Sequence, residues 1–306
     1  TSPHSCFMSP LRLPRPGPRT IKILAALLLI GIVLAAWAFW FEPRTLVVRD
    51  YTLDIDGLPR GFDGLRIAAI SDLHVGSPHV PLERLDTIVA RVNALDADLT
   101  VILGDFVTNT YETVEEARPG PARVAFGVKV TPDQFAPRLG RLRARMGVYA
   151  VMGNHDWMYN VSPIRRELEH VGIRVLDDQV IRLERNQDSI LLAGLQDYYM
   201  QPRALDKTLE KITDKTPVIA LTHTPDVFQD LPDQFRLLLA GHTHGGQVWF
   251  PILGRLVLPT SFPQYAIGHV REQGRHLFVT PGIGTSILPV RFFVPPEISM
   301  LTLRAR

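Results

Sequence analysis

Five short apolar runs constrain this chain more than any other feature, because each breaks abruptly into a polar turn. Leu65–Ile70 (LRIAAI) runs into Ser71-Asp72-Leu73-His74, and Leu99–Leu103 (LTVIL) into Gly104-Asp105. Val148–Met152 (VYAVM) runs into Gly153-Asn154-His155-Asp156. Val218–Leu221 (VIAL) leads to Thr222-His223, and Leu237–Ala240 (LLLA) to Gly241-His242-Thr243-His244. Runs this short and this apolar suit strands buried on both faces. Between the first two, Pro81 can open a helix in which Leu82, Leu85, Ile88, Val89, Val92 and Leu95 share one face. Asp72 and Asp105 are then separated by one βαβ crossover. A second helix is expected after Ser162-Pro163, with Ile164, Leu168 and Val171 buried and Gly172 at its end. Val180–Leu183 and Ile190–Ala193 read as a hairpin. The fold class is mixed α/β. Glu112–Pro137, which contains Arg118-Pro119-Gly120-Pro121, reads as a loop or small cap near the site.

In open α/β sheets, ligands gather beyond the carboxyl ends of the strands. The five turns bring Asp72, His74, Asp105, Asn154, His155, His223, His242 and His244 to that edge, so half of the ten histidines lie there. A lone Asp-x-His or Gly-Asp is an ordinary turn or cap; five such turns, each after a buried strand, read as a site. Glycines 104, 153 and 241 are expected to let the backbone turn sharply. Imidazole, carboxylate and amide oxygen, with no thiolate, suit manganese, iron or zinc. Seven such groups exceed one tetrahedral site and suffice for two ions, with Asp105 as the bridging carboxylate. Two ions about 3.5–4 Å apart can hold a hydroxide between them and clamp a phosphoryl group for in-line attack. His155, next to Asn154, is placed to protonate the leaving oxygen or to stabilise charge on the phosphoryl group.

Composition narrows the classes. The 306 residues are 46% hydrophobic and 21% charged, which excludes a wholly disordered chain. The single cysteine, Cys6, excludes an intrachain disulfide framework and a cysteine-rich zinc site. The net charge of +2 comes from Arg12, Arg15, Arg19 and Lys22; without them 29 basic residues face 31 acidic ones. No nucleic-acid partner is expected of so neutral a body.

Those basic residues precede an unbroken apolar run, Ile23–Phe41, whose 19 residues reach roughly 28 Å as a helix. Phe39, Phe41 and the tryptophans 37 and 40 stand at its far end, where an interfacial aromatic belt lies. A buried core helix fits poorly, because no polar residue breaks the run. A cleaved signal could end at Ala36-Trp37-Ala38, but the run continues past it. The expectation is a basic cytoplasmic tail (1–22), an uncleaved single-pass transmembrane anchor in the lipid bilayer (23–41), and a catalytic domain (42–306) on the opposite side of the membrane.

The blocks SDLHVG (71–76), GDF (104–106), GNHD (153–156), LTHTPD (221–226) and GHTHGGQ (241–247) resemble, in order, those of calcineurin-like metallophosphoesterases. The likeness spans about residues 64–303. TPGIGTS (280–286) and LPVRFFVPPEI (288–298) resemble the membrane-associated bacterial branch, which implies a bacterial inner membrane with an extracytoplasmic domain. The resemblance implies a four-layer α/β/β/α sandwich of two mixed sheets behind one N-terminal transmembrane helix. By motif position, one divalent ion takes Asp72, His74, Asp105 and His244; the other takes Asp105, Asn154, His223 and His242. His155 is the implied catalytic histidine. Many members carry a second acid three residues after the bridging Asp, pairing with that histidine. Here the position is Thr108, whose hydroxyl can bond the ring but brings no counter-charge.

The implied substrate is a phosphate mono- or diester: a phospholipid, a lipid-linked pyrophosphate or a cell-wall phosphodiester. The rival readings are a non-catalytic metal-binding scaffold and a two-metal hydrolase of carboxylic esters or amides. Other polar residues carry plainer expectations. His79 is expected on a loop surface, His170 at a helix end, and His269 and His276 in late strands or turns. Asp156 and Asp226 are expected to hydrogen-bond turns, and Asp197-Tyr198-Tyr199 to lie at a sheet edge or reach substrate. Arg291 is expected to bind an anion or form a surface salt bridge.

Overall fold

The computed structural model describes residues 17–114 and 123–306. Most of the basic tail and the Arg118-Pro119-Gly120-Pro121 stretch lie outside the described residues. Two six-stranded mixed sheets form the body. In the first, the spatial order is Val47–Ile55, Glu297–Ala305, Arg66–Ile70, Leu99–Leu103, Val148–Val151, Arg174–Val175; only the Glu297–Ala305/Arg66–Ile70 pair is antiparallel. In the second, the order is Gly268–Glu272, Arg275–Val279, Phe235–Ala240, Val218–Leu221, Asp188–Gly194, Gln179–Arg185, with an antiparallel pair at each edge.

The apolar runs alternate sides as a pleat requires. Ile67 and Ala69 face the inter-sheet core with Val101, Leu103, Leu192, Leu221, Leu239 and Phe278. Ala68 and Ile70 face outward, against the helices Arg84–Asn93, Pro132–Leu139 and Val161–His170. The outer cover of the second sheet is thinner: the helix Ala204–Leu209 and the 3-10 turn Pro225–Asp230. This is the four-layer α/β/β/α arrangement with two mixed sheets. The five expected strands form within a residue or two of their predicted bounds. The helix expected from Pro81 begins one turn later, at Arg84. The described parts of 112–137 hold a two-stranded ribbon, Asn109–Val114 with Arg123–Val128, and the start of the Pro132–Leu139 helix.

The apolar run is helical and starts earlier than its hydropathy, at Pro18. The helix continues to Ala36, widens through a π-turn at Trp37–Phe41 and ends in the tighter 3-10 turn Glu42–Arg44. Its side chains are exposed, and it is long and apolar enough to cross a bilayer. Its end is not a free tether. Ala38 packs against Val290 and Phe292, and its carbonyl accepts from the Arg291 N–H at 3.0 Å. The buried Glu42 carboxylate accepts from the Val294 N–H at 2.6 Å, the Phe293 N–H at 2.9 Å and the Trp37 indole at 2.7 Å.

Candidate metal centre

The strand ends of both sheets converge at one edge of the body. His223 Nε2 is 3.2 Å from Asp105 Oδ2, and His74 Nε2 is 3.5 Å from the same oxygen. His244 Nε2 lies 3.3 Å from Asp72 Oδ1 and 3.2 Å from His74 Nε2. His242 Nδ1 faces His223 Nε2 at 3.2 Å. Ligand atoms come together in three overlapping groups: Asp72 with His74 and His244, His74 with Asp105 and His155, and Asp72 with Asp105 and His223. Asn154 stands at the start of the helix Asn154–Tyr159, and its buried Oδ1 has no hydrogen-bond partner among the described residues.

Backbone geometry aims these side chains. Asp72, His74, Asp105, His242 and His244, five of the seven predicted ligands, have left-handed φ values between 42° and 70°. Each such residue costs roughly 1–2 kcal/mol, a cost held in place by the surrounding fold. The glycines act differently from expectation. Gly104 does turn with φ +85°, but Gly153 and Gly241 are not in the left-handed region. A Cβ on Gly153 would sit 2.2 Å from Asp105 Oδ1, and one on Gly241 would sit 2.6 Å from Ser71 Oγ. These two glycines supply space for close approach of the ligand turns.

Donor chemistry and charge fit divalent cations. Burial pushes His74 down to about 4; burial, reinforced by His223, takes His242 to about 3. Burial with His74 also holds His244 well below its ordinary value. These imidazoles are neutral at pH 7 and offer lone pairs. His74 and His223 use Nδ1 on the carbonyls of Val107 (3.2 Å) and Leu103 (2.7 Å), which leaves Nε2 turned inward. Two nitrogens on one ion at about 2.0–2.1 Å are separated by about 3.0–3.4 Å, the spacing of the His74/His244 pair. Burial, and then Asp105, push the Asp72 carboxyl up to about 6. Burial opposes charge on Asp105 as well, but His223, His155 and His74 outweigh it and hold that carboxyl well below its usual range. His223 is held well above the ordinary imidazole value by Asp105 and Asp72, against the effect of burial. The cluster thus draws in positive charge, and the buried Asp72 Oδ1 and Asn154 Oδ1, which accept no hydrogen bond among the described residues, give a cation further donors.

His155 lies at the edge of the cluster, with its backbone N–H donated to Asp105 Oδ1 at 2.9 Å. The ring meets a partner that the sequence did not reveal: Nδ1 is 2.5 Å from Asn109 Oδ1, and Asn109 Nδ2 donates to the His155 carbonyl at 3.1 Å. The Thr108 hydroxyl points elsewhere, donating to the His74 carbonyl at 2.6 Å. The ring contact open to Thr108 is thus made instead by its neighbour's amide. His155 and His74 line a cavity of about 400 Å³ with Asn109, Lys129, Ser286 and Leu288. Lys129 adds a positive charge that favours anions there and that motif reading did not single out.

Buttressing residues complete the site. Asp156 accepts from the Phe106, Val107 and Gly153 N–H groups and so ties two ligand turns together. Asp226 accepts from Tyr199, Thr260 and Ser261. The Tyr199 ring lies 5.5 Å from that of His242, while Asp197 accepts from the Thr224 hydroxyl. His170 ends its helix as expected, and His269 and His276 pair across two strands at 2.9 Å. Two expectations are overturned. His79 is buried, with Nε2 3.0 Å from the Pro289 carbonyl, because the 286–290 loop folds over it. Arg291 is not on the surface, and its hydrogen-bond partners among the described residues are backbone carbonyls rather than a carboxylate. It is fully buried and donates to the carbonyls of Pro281, Gly284 and Val294. Burial lowers its guanidinium to about 10, so it remains charged at neutral pH. The loop it holds packs on the first ligand turn: the Ile283 and Gly284 N–H groups donate to the carbonyls of Ser71 and Asp72.

Residues 65–246 match the family model described as calcineurin-like phosphoesterase. The chain belongs to that family. It is 30% identical over 274 residues to YkuE of Bacillus subtilis (strain 168), an uncharacterized metallophosphoesterase, with 88% of this chain and 89% of that one covered. It is 32% identical over 294 residues to the transmembrane protein with metallophosphoesterase domain of Danio rerio. That alignment covers 90% of this chain and 62% of the relative, so the chain spans less than two thirds of that protein. A metallophosphoesterase of Aquifex aeolicus (strain VF5) is 25% identical over 284 residues, covering 90% of this chain and 98% of its own length. Family membership makes this calcineurin-like phosphoesterase a metal-dependent hydrolase of phosphoesters.

Proposed function

We propose that this phosphoesterase is membrane-anchored and uses two divalent ions, of manganese, iron or zinc, to hydrolyse a phosphate mono- or diester. The carrying observation is the convergence of imidazole nitrogens and buried carboxylates around Asp105, beside a cavity that His155 lines. Asp72, His74, Asp105 and His244 would hold one ion; Asp105, Asn154, His223 and His242 would hold the other. When bound, such ions polarise the phosphoryl group and supply a nucleophile from water at neutral pH. The chain's own residues do the rest. Asp105, fixed through the His155 N–H, would be the carboxylate shared between the two sets of ligands. The ring of His155, with Nδ1 engaged by Asn109, turns Nε2 toward the cavity and delivers a proton to the leaving oxygen. Lys129 attracts the anionic substrate.

The helix Pro18–Arg44 would cross the inner membrane, with its basic N-terminal side in the cytoplasm and residues 42–306 outside. Packing of Ala38 and Glu42 into the body supports a retained helix over a cleaved one. A lipid-borne or cell-wall phosphoester would then be within reach.

Chelated full-length protein should lose turnover of an aryl phosphate, and manganese should restore it. Asp105→Asn should stay inactive with manganese present. Undiminished activity after chelation or in that variant contradicts the two-ion mechanism, and faster turnover of a carboxylic ester contradicts the assigned chemistry. Protease protection of intact cells reads the topology.

A further inference from the structure

We propose that an apolar rim beside the substrate cavity lies against the same bilayer that the N-terminal helix enters, so that the body docks on the membrane through its own side chains. This rests on reading Pro18–Arg44 as the anchor. Ile252 and Ile287 are 95% and 97% exposed, and Leu253, Leu256, Val257 and Leu288 are each more than half exposed. Isolated exposed apolar residues are ordinary; a grouped set of this size marks a contact surface. Neither residues 247–267 nor residues 280–296 contain an Asp or Glu, although acidic residues outnumber basic ones in the body.

The rim is one unit with the end of the helix. Val248 bridges to Phe292, and the rings of Phe250 and Phe292 lie 5.4 Å apart. Gln247 joins the two segments, donating to the Leu288 carbonyl and accepting from the Ser286 N–H. The second segment holds the helix end through the Arg291 N–H on Ala38 and the Phe293 and Val294 N–H groups on Glu42. Trp37 and Trp40 mark that end as the headgroup level, and Arg44 stacks over Trp40 there. Side chains fastened to that level meet lipid.

Charge points to the same occupant. Behind the rim, Arg49 and Arg255 line a cleft of about 430 Å³ with Trp249, Phe293 and Glu297; Glu297 pairs with Arg49 at 3.5 Å, so Arg255 is the guanidinium offered to a ligand. The Arg255 Nε is buried and, among the described residues, has no hydrogen-bond partner. A guanidinium beside aromatic rings at headgroup depth suits an anionic lipid phosphate. Ile287 and Leu288 also line the cavity of His74 and His155, so that cavity opens where the bilayer begins.

The test uses the full chain in a Cys6→Ser background, reconstituted in vesicles of phosphatidylethanolamine and phosphatidylglycerol. Spin labels are placed singly at Ile252→Cys, Val257→Cys, Leu28→Cys in the helix, and Lys215→Cys before the strand Val218–Leu221. Collision with oxygen, which partitions into lipid, is compared with collision with a water-soluble nickel chelate. The oxygen-to-nickel ratio at 252 and 257 should exceed that at 215 by about threefold or more, as for an interfacial surface. Ratios at 252 and 257 equal to that at 215, with 28 deep in lipid, overturn the docking surface and leave the anchor intact. A water-exposed label at 28 overturns the anchor and the rim together. Spin–spin broadening at 252 shows a second copy covering the rim, which also overturns the proposal.

Discussion

Replacing Asn109 with alanine tests whether a neutral amide does for His155 what an acid does elsewhere in the family. The side chain gives the ring two restraints, an acceptor 2.5 Å from Nδ1 and a donor 3.1 Å from the His155 carbonyl. A hydrogen bond to a group that carries charge during the reaction contributes about 1.5–3 kcal/mol, or roughly ten- to a hundredfold in rate. The bond matters most while the ring is positively charged, so kcat should fall by that factor while KM for an aryl phosphate stays within about twofold. Bound manganese, read by mass spectrometry, should be unchanged, since Asn109 touches none of the proposed ligands. Asn109→Asp keeps an acceptor for Nδ1 and should recover most of the rate. A kcat within about twofold of the parent in Asn109→Ala, or a loss matched by loss of metal, would falsify the assignment of Asn109 as a positioning residue.

Gly153→Ala would place a methyl 2.2 Å from Asp105 Oδ1; purified protein should carry less metal and turn over at least about tenfold more slowly, with far-UV circular dichroism retained. Arg291→Met leaves the carbonyls of Pro281, Gly284 and Val294 buried without their donor. At about 1–3 kcal/mol for each unmade bond, the denaturant midpoint should drop sharply; an unchanged midpoint would show that those carbonyls find other partners. Asp177, which accepts from the Met152 N–H and from Arg165, has its carboxyl pushed up to about 6 by burial. The folded state therefore binds this proton more tightly than the unfolded chain, and the contribution is full below about pH 4. It is lost as pH rises to about 6, by roughly 3 kcal/mol at most. Asp177→Asn should flatten that part of the stability–pH curve.

The strands and ligand turns were legible because both signals are local. A run such as Leu99–Leu103 is buried on both faces, and the residues after it need only continue its direction to reach the site. The strand Val47–Ile55 gave a weaker signal, since Val48, Arg49 and Asp50 at the edge of the sheet are all exposed. Arg291 was misread because its acceptors are backbone carbonyls of a loop, and carbonyls leave no trace in residue identity. His79 was misread for the same reason: what covers it comes from residue 289, far along the chain. Asn109 went unnoticed because motif reading directs attention to position 108, whereas the turn carries that hydroxyl onto the His74 carbonyl and brings the next side chain to the ring.

The strand Glu297–Ala305 sits inside the first sheet, between Val47–Ile55 and Arg66–Ile70. Every predicted ligand is synthesised before it. A nascent chain that has reached residue 250 already carries all seven donors, yet its central sheet has a missing stave and the 281–284 buttress is absent. Cations met at that stage encounter a loose collection of side chains. The cradle therefore closes only after synthesis has passed residue 305, so ion loading follows completion of the sheet rather than accompanying the making of the ligand turns.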